Sequence, residues 1–338
     1  MIENYSNIKI IVLTPVKNED WILSEFLTCA SLFADCIIVA DQNSNDESLK
    51  ICKRFSKVVV INNKDTTYSE SERQKMLITK ARELFPNDKR ILFGLDADEI
   101  VSFDSIQMHK AWREIKLQPP GTTFFFEKPD ILPGVSECVR WRTSYFPIGY
   151  VDDGILHNPK EIHSRRIPNN ETGKNVQIDE IKFLHFAISR NRVQSAKMRY
   201  YSVIENVKKT SPVYIRRKVY KCYFDPYKYY PHSNFETIPT EWIDGWMAEK
   251  VNLRALPEPE FPWQDFEVLR FFDEYGCKKF YLDDIWDYDW NRILENAHQH
   301  GMFLNLNKIT RPDVINQMLS LMVDLLNSLH KGWRKLIS

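Results

Sequence analysis

Four short β-branched runs, each leading into a polar loop and then an amphipathic stretch, fill the first hundred residues, and this rhythm most restricts what the chain can become. Residues 9–13, 36–40, 57–61 and 90–95 are almost wholly apolar, as strands covered on both faces must be. Between them, residues 21–33, 46–55 and 69–84 carry apolar side chains at helical spacing. Asn45 or Asp46 and Ser69 or Ser71 are available as N-caps. Strand and helix alternating in this way predict a parallel sheet clothed by helices, an α/β fold of the Rossmann-like kind.

Such a sheet binds its ligand beyond the carboxyl ends of its strands, so the residues that follow each run matter most. The first run opens into Thr14-Pro15-Val16-Lys17-Asn18-Glu19, the second into Asp41-Gln42-Asn43-Ser44-Asn45-Asp46, and the fourth into Asp96-Ala97-Asp98-Glu99. These polar and acidic loops are expected on one rim. With only 10 glycines, the chain has neither the dinucleotide fingerprint nor the P-loop, both of which need glycine where backbone touches phosphate. Lys+Arg and Asp+Glu both count 46, so no broad positive field exists to attract a nucleic acid, and none is expected as a partner.

Beyond residue 101 the rhythm changes. Residues 122–127, 141–145 and 182–186 read as strands, residues 192–208 as a helix, and the remainder as helical and aromatic-rich, interrupted by a proline-containing linker at 256–262. The expected organisation is a domain over 1–200, with a nucleotide-binding part at 8–101 and an acceptor half at 102–200, followed by a helical region over 201–338. None of the six cysteines falls into a CxxC pair, and the first residues lack a basic and then apolar leader, which predicts a cytoplasmic protein. Residues 314–337 place Met318, Leu319, Leu321, Met322, Leu325, Leu326 and Leu329 on a broad apolar face. That face suits packing on its own domain, a homodimer or a peripheral membrane contact.

Two carboxylates one residue apart, directly after an apolar strand, can address one hard cation, and Mg²⁺ or Mn²⁺ bound this way keeps positions open for phosphate oxygens. Asp96 and Asp98 have that spacing. Taken with the order of the strand ends, the chain resembles the family-two inverting glycosyltransferases of the GT-A fold over roughly residues 8–200. Pro15-Val16-Lys17-Asn18-Glu19 matches the family's segment after the first strand, Asp41 its base-contacting aspartate, and Asp96-Ala97-Asp98 its Asp-x-Asp motif. Asn43 replaces the glycine usual in the loop after the second strand and can adopt the same left-handed geometry.

The resemblance implies a metal-dependent enzyme moving a sugar from a nucleoside-diphosphate donor, by default a uridine diphosphate sugar, to a hydroxyl of a saccharide or lipid-linked acceptor. It implies a role in cell-surface polysaccharide or glycolipid synthesis. The implied nucleotide-binding set is Thr14, Pro15, Val16, Asn18, Glu19, Asp41, Asn43, Arg73, Asp96 and Ala97; the implied ligands of Mn²⁺ or Mg²⁺ are Asp98, Asp96 and a late histidine, His185. Inversion needs a carboxylate to take the acceptor's proton. By their place after the Asp-x-Asp motif and before the late histidine, Asp152 and Asp153 are the first candidates and Glu161 the reserve. His163, Arg165 and Arg166 are candidates for binding diphosphate or an anionic acceptor. Two other classes compete: a haloacid-dehalogenase-type phosphatase, which would carry its Asp-x-Asp on the first strand, and a non-catalytic nucleotide-sugar binding module. A sugar-phosphate nucleotidyltransferase would share the architecture but expects a Gly-rich loop where Thr14-Pro15-Val16-Lys17 stands.

Overall fold

The computed structural model describes residues 7–63, 70–140, 145–157, 165–168, 170–230 and 234–337. Strands β1 (Ile8–Val16), β2 (Cys36–Asp41), β3 (Val58–Asn62) and β4 (Lys89–Gly94) are mutually parallel and stand in the order β3-β2-β1-β4. Helices α1 (Leu23–Phe33), α2 (Ser48–Cys52) and α3 (Glu70–Leu84) connect them. Because successive side chains leave a strand on opposite faces, Ile10, Val12, Val39 and Phe93 join Phe26 and Leu27 of α1 in one core. Ile11, Leu13, Ile38 and Leu92 join Leu77, Ile78 and Ala81 of α3 in another. Both faces are covered, which is why these runs are apolar without alternation. The α/β class expected from the sequence is the class observed.

After β4 the sheet becomes mixed. Strand β5 (Glu99–Val101) leads through α4 (Phe103–Ile106) and α5 (His109–Leu117) to β6 (Thr123–Glu127), β7 (Asp130–Ile131), β8 (Glu137–Val139), β9 (Tyr145–Val151), β10 (Asn175–His185) and, much later, β11 (Phe235–Thr237). Strand β9 runs antiparallel to both β4 and β6, whereas β6 and β10 are parallel. The strand expected at 141–145 thus begins at Tyr145 and extends to Val151; residues 141–144 lie outside the described residues. A register shift falls between Ile178 and Lys182; past Lys182, which pairs with the last residue of β6, the end of β10 pairs with β5 and β7.

By contacts the chain divides into two compact units: Met1–Ser189 with Tyr230–Pro257, and Arg190–Tyr229 with Glu258–Ser338. The division differs from a single boundary at residue 200. Its cause is aromatic packing, since Trp242, Ile243, Trp246, Val251 and Leu253 belong to the main core of the first unit. Trp246 is fully buried and its Nε1–H donates to the Val101 carbonyl at 3.2 Å. The third and last crossing, at Pro257–Glu258, falls in the proline-containing segment expected to be a linker.

Helices α6 (Asn191–Lys208), α7 (Val213–Val219) and α8 (Pro226–Tyr229) open the second unit, α9 (Thr240–Ile243) belongs to the first, and α10 (Trp263–Tyr275), α11 (Trp290–Gln299) and α12 (Val314–Ile337) complete the second. Two of its buried arginines are paired with buried carboxylates, which offsets the cost of taking those charges out of water. Arg199 on α6 donates to both carboxylate oxygens of Asp265 on α10, at 2.8 and 2.7 Å, and Arg216 pairs with Asp283 at 2.6 Å. On α12, Ile315, Met318, Met322, Leu325 and Leu326 are exposed. Among the described residues no helix is long and apolar enough to cross a membrane. All six cysteines are buried free thiols.

Candidate functional site

The carboxyl ends of the parallel strands form a level edge. Main-chain N–H groups of Gln42, Asn63 and Leu95 donate to the carbonyls of Val16, Asp41 and Leu13 at 2.8, 2.8 and 3.1 Å, carrying the ladder to the last residue of each strand. Thr14, Pro15 and Val16 therefore lie within β1 rather than after it, and Asp41 closes β2. The two following loops are stitched together. Asn18 N–H donates to Ser44 Oγ at 3.0 Å, Asn45 N–H to Asn18 Oδ1 at 2.9 Å, and Glu19 N–H to Ser48 Oγ at 3.0 Å. Asn18 and Asn43 take left-handed backbone angles, φ 55° and 56°, which asparagine tolerates. Glu19 accepts from Trp21 Nε1–H at 2.6 Å while its carbonyl receives the first N–H groups of the turn into α1. These bonds make Asn18 and Glu19 builders of the rim.

Within this frame, polar atoms are buried without partners. Asp41 is 2% exposed; its Oδ2 accepts the Ser44 N–H at 3.2 Å, but its Oδ1 has no donor. Thr14 Oγ1 and Asp98 Oδ1 are in the same condition. A buried acceptor without a donor is uncommon in a folded protein and asks for a partner that the chain itself does not supply. Arg73, on the first turns of α3, donates to Gln42 Oε1 beside Asp41.

The turn after β4 is organised by charge. Glu99 N–H donates to the Asp96 carbonyl at 3.0 Å, and Asp96 N–H returns to Glu99 Oε2 at 3.2 Å. Arg166 binds Asp96 and reaches Glu99 Oε1 at 2.9 Å, while Lys128 reaches the same oxygen at 2.8 Å. Burial alone would raise the Glu99 carboxyl, but Arg166 and Lys128 outweigh it and hold the group well below the ordinary carboxylate range. Gly94 permits this arrangement: a Cβ there would stand 2.6 Å from the Arg166 Cβ. Ala97 is buried.

Pairing of β5 with β10 sets His185 opposite Glu99, and β7 sets Asp130 beside it. Phe186 N–H donates to the Asp98 carbonyl at 2.8 Å. As a result His185 Nε2 lies 3.9 Å from Asp98 Oδ1, and its Nδ1 lies 2.6 Å from Asp130 Oδ1. Among the described residues no three His, Cys, Asp or Glu side chains form a metal cage by themselves. Asp98 and His185 nevertheless fit as two donors to one cation. Mg²⁺ and Mn²⁺ sites commonly take only one or two protein ligands and draw the rest from phosphate and water. Asp96 reaches the same place already engaged by Arg166.

Asp152 and Asp153 stand elsewhere. Because β9 is antiparallel to β4, its last residue pairs with Ile91, and Asp152 N–H donates to the Arg90 carbonyl at 2.9 Å. That is the amino end of β4, so at least roughly 13 Å of strand separates the pair from the rim. The Asp152 carboxylate is fully covered and taken up by Arg82 at 2.7 Å and Arg90 at 2.8 Å. Asp153 accepts from Asn170 Nδ2 at 2.9 Å and from Ile155 N–H at 3.2 Å. Neither carboxylate faces the site, which overturns the expectation that this pair takes the acceptor's proton. Sequence order carries no information about the strand's direction, which decides the edge at which the pair stands. Glu161 and His163 lie outside the described residues, and Arg165 is exposed. No local pattern in the sequence marks Lys128, Asp130 or the ion pair of Glu99 with Arg166; the one signal is the polar segment at the carboxyl end of β6.

No known family model and no curated protein matches the chain. Among solved structures it is similar to a 4-diphosphocytidyl-2C-methyl-D-erythritol synthase, at 14% identity and a TM-score of 0.26, over 44% of this chain and 70% of that one. A protein described as a glucose-1-phosphate thymidylyltransferase from Bacillus anthracis matches at 11% identity and a TM-score of 0.24, over 62% of this chain and 78% of that one. A mycobacterial protein matches at 19% identity and a TM-score of 0.24, over 36% and 42%. Overlaps this slight carry no conclusion about chemistry, which rests on the geometry of the site.

Proposed function

We propose that this protein is a cation-dependent glycosyltransferase, taking a sugar from a nucleoside diphosphate to a hydroxyl acceptor. The observation that carries this reading is the set of partnerless buried oxygens on Asp41, which closes β2, and Asp98, in the turn after β4, beyond the carboxyl ends of the parallel part of the sheet. Asp41 Oδ1 is suited to an imide N–H such as that of uracil, which favours a uridine diphosphate donor. Asp98 and His185 would hold Mn²⁺ or Mg²⁺, with Asp96 and Arg166 beside them. When bound, the cation offsets the negative charge that gathers on the departing diphosphate. Inversion, a saccharide or lipid-linked acceptor, surface polysaccharide or glycolipid synthesis and a cytoplasmic setting remain parts of the proposal. The exposed apolar face of α12 offers either a membrane surface or a second copy a place to bind.

A second reading, a binding module without turnover, draws support from the position of Asp152 and Asp153 at the far edge of the sheet. The experiment that separates the two uses purified protein, Mn²⁺ and a panel of nucleotide sugars, with release of nucleoside diphosphate as the readout. A transferase releases it slowly without acceptor and faster with one, and Asp98→Ala abolishes both. Asp41→Asn weakens binding of the nucleotide by ten-fold or more, about 1.5–3 kcal/mol. Tight donor binding with no release in any combination of donor and acceptor favours the module. Failure of every nucleotide to bind ends both readings.

A further inference from the structure

We propose that Asp130 is a positioning residue: it holds His185 in the tautomer protonated on Nδ1, so that the Nε2 lone pair faces Asp98 and gives the rim a preference for Mn²⁺ over Mg²⁺. This rests on the cation site proposed above. The geometry is fixed from the main chain outward. His185 N–H donates to the Pro129 carbonyl at 2.9 Å and Phe186 N–H to the Asp98 carbonyl at 2.8 Å, so backbone bonds tether the histidine strand on both sides. The side chains follow, with Nδ1 of His185 2.6 Å from Asp130 Oδ1 and both groups largely covered.

An ionised carboxylate only accepts hydrogen bonds, so the nitrogen that meets Asp130 must be the one bearing hydrogen. The other nitrogen then points at Asp98 with its lone pair. His185 Nε2 and the partnerless Asp98 Oδ1 are 3.9 Å apart, beyond any hydrogen bond. That gap lies within two metal–ligand bonds of about 2.1 Å each. Glu99, the other carboxylate beside His185 in the sheet, is committed to Lys128 at 2.8 Å and Arg166 at 2.9 Å, and so leaves Asp130 as the orienting group. A histidine nitrogen is a better donor to Mn²⁺ than to Mg²⁺, which strongly favours oxygen.

The test is Mn²⁺ binding followed by electron paramagnetic resonance, with uridine diphosphate present, on the full chain and on Asp98→Ala, Asp130→Ala and Asp130→Asn. Asp130→Ala is expected to weaken Mn²⁺ by 10- to 100-fold, the usual effect of removing such a partner. Asp130→Asn recovers most of the loss, because its carboxamide oxygen still accepts the Nδ1–H, and Mg²⁺ affinity moves less than about three-fold in either variant. Nitrogen-15 shifts of His185 in the metal-free wild-type chain should show the proton on Nδ1, a readout that does not depend on any variant folding. The proposal is overturned by a proton on Nε2, by wild-type Mn²⁺ affinity in Asp130→Ala, or by equal losses in the Ala and Asn variants. Mn²⁺ binding that is unchanged in Asp98→Ala overturns the cation site itself, and the role of Asp130 with it.

Discussion

Asp152 and Arg90 are joined twice at the amino-terminal edge of the sheet: the amide of Asp152 donates to the Arg90 carbonyl at 2.9 Å, and the Arg90 guanidinium donates to the Asp152 carboxylate at 2.8 Å. Arg82 completes the cluster from α3 at 2.7 Å, so one carboxylate ties a helix, a central strand and the end of β9. Burial by itself would raise the Asp152 carboxyl, yet the two arginines hold it below its ordinary range.

Removing that carboxylate strands two partly buried cations. Asp152→Ala should therefore lower unfolding free energy by about 3–5 kcal/mol. Urea denaturation measures the loss, while nucleotide affinity per folded molecule stays at the wild-type value. A variant of full stability that has lost only turnover would restore Asp152 to the chemistry.

Gly94→Ala places a methyl group 2.6 Å from the Arg166 Cβ and 3.1 Å from its carbonyl oxygen. Backbone cannot swing aside as a flexible side-chain tip can, so the segment carrying Arg166 must shift. The expected cost is about 1–3 kcal/mol, typical of overpacking. Weaker Mn²⁺ binding should accompany it, because Asp96 and Glu99 lose their common partner. Equal thermal stability of Gly94→Ala and wild type would show that the close approach matters little.

His157 gives a pH dependence with a definite sign. Burial, followed by the positive charges of Lys75 and Arg82, pushes its pKa down from 6.5 to about 4, and Nε2 lies 2.9 Å from Gln74 Oε1. Between those two values the unfolded chain binds more protons than the folded one, so stability rises with pH across the window. It is fully present above about 6.5 and declines as pH falls toward about 4. Subtracting the pH profile of His157→Gln from that of wild type should isolate this slope in thermal melts. Parallel profiles would remove His157 as its source.

Much of the first hundred residues was legible because a strand buried on both faces leaves an unbroken apolar signature. Those runs located β1 to β4, and the polar residues after them located the rim. Asn43 was also readable, since few residues besides glycine sit comfortably at φ 56°. What failed depends on direction. An antiparallel strand has the same local pattern as a parallel one, so nothing in residues 145–153 announces that β9 runs away from the site and carries Asp152 and Asp153 with it. His185, by contrast, is brought beside Asp98 by the pairing of a separate strand, β5. Residues 230–257 belong to the first unit for a different reason: Trp242 and Trp246 fill its core, and a tryptophan's destination is a tertiary matter that its neighbours in sequence do not encode.

The partnerless oxygens of Thr14, Asp41 and Asp98 bear on how this chain should be handled. Each desolvated acceptor left without a donor weighs against the fold by about 1–3 kcal/mol. Molecules that bring N–H groups or a cation to them remove that burden, and so act as structural stabilisers before any reaction takes place. On the function proposed above, preparations stripped of nucleotide and metal would understate the resilience of the working protein, and heat tolerance would track the supply of the nucleotide-sugar donor.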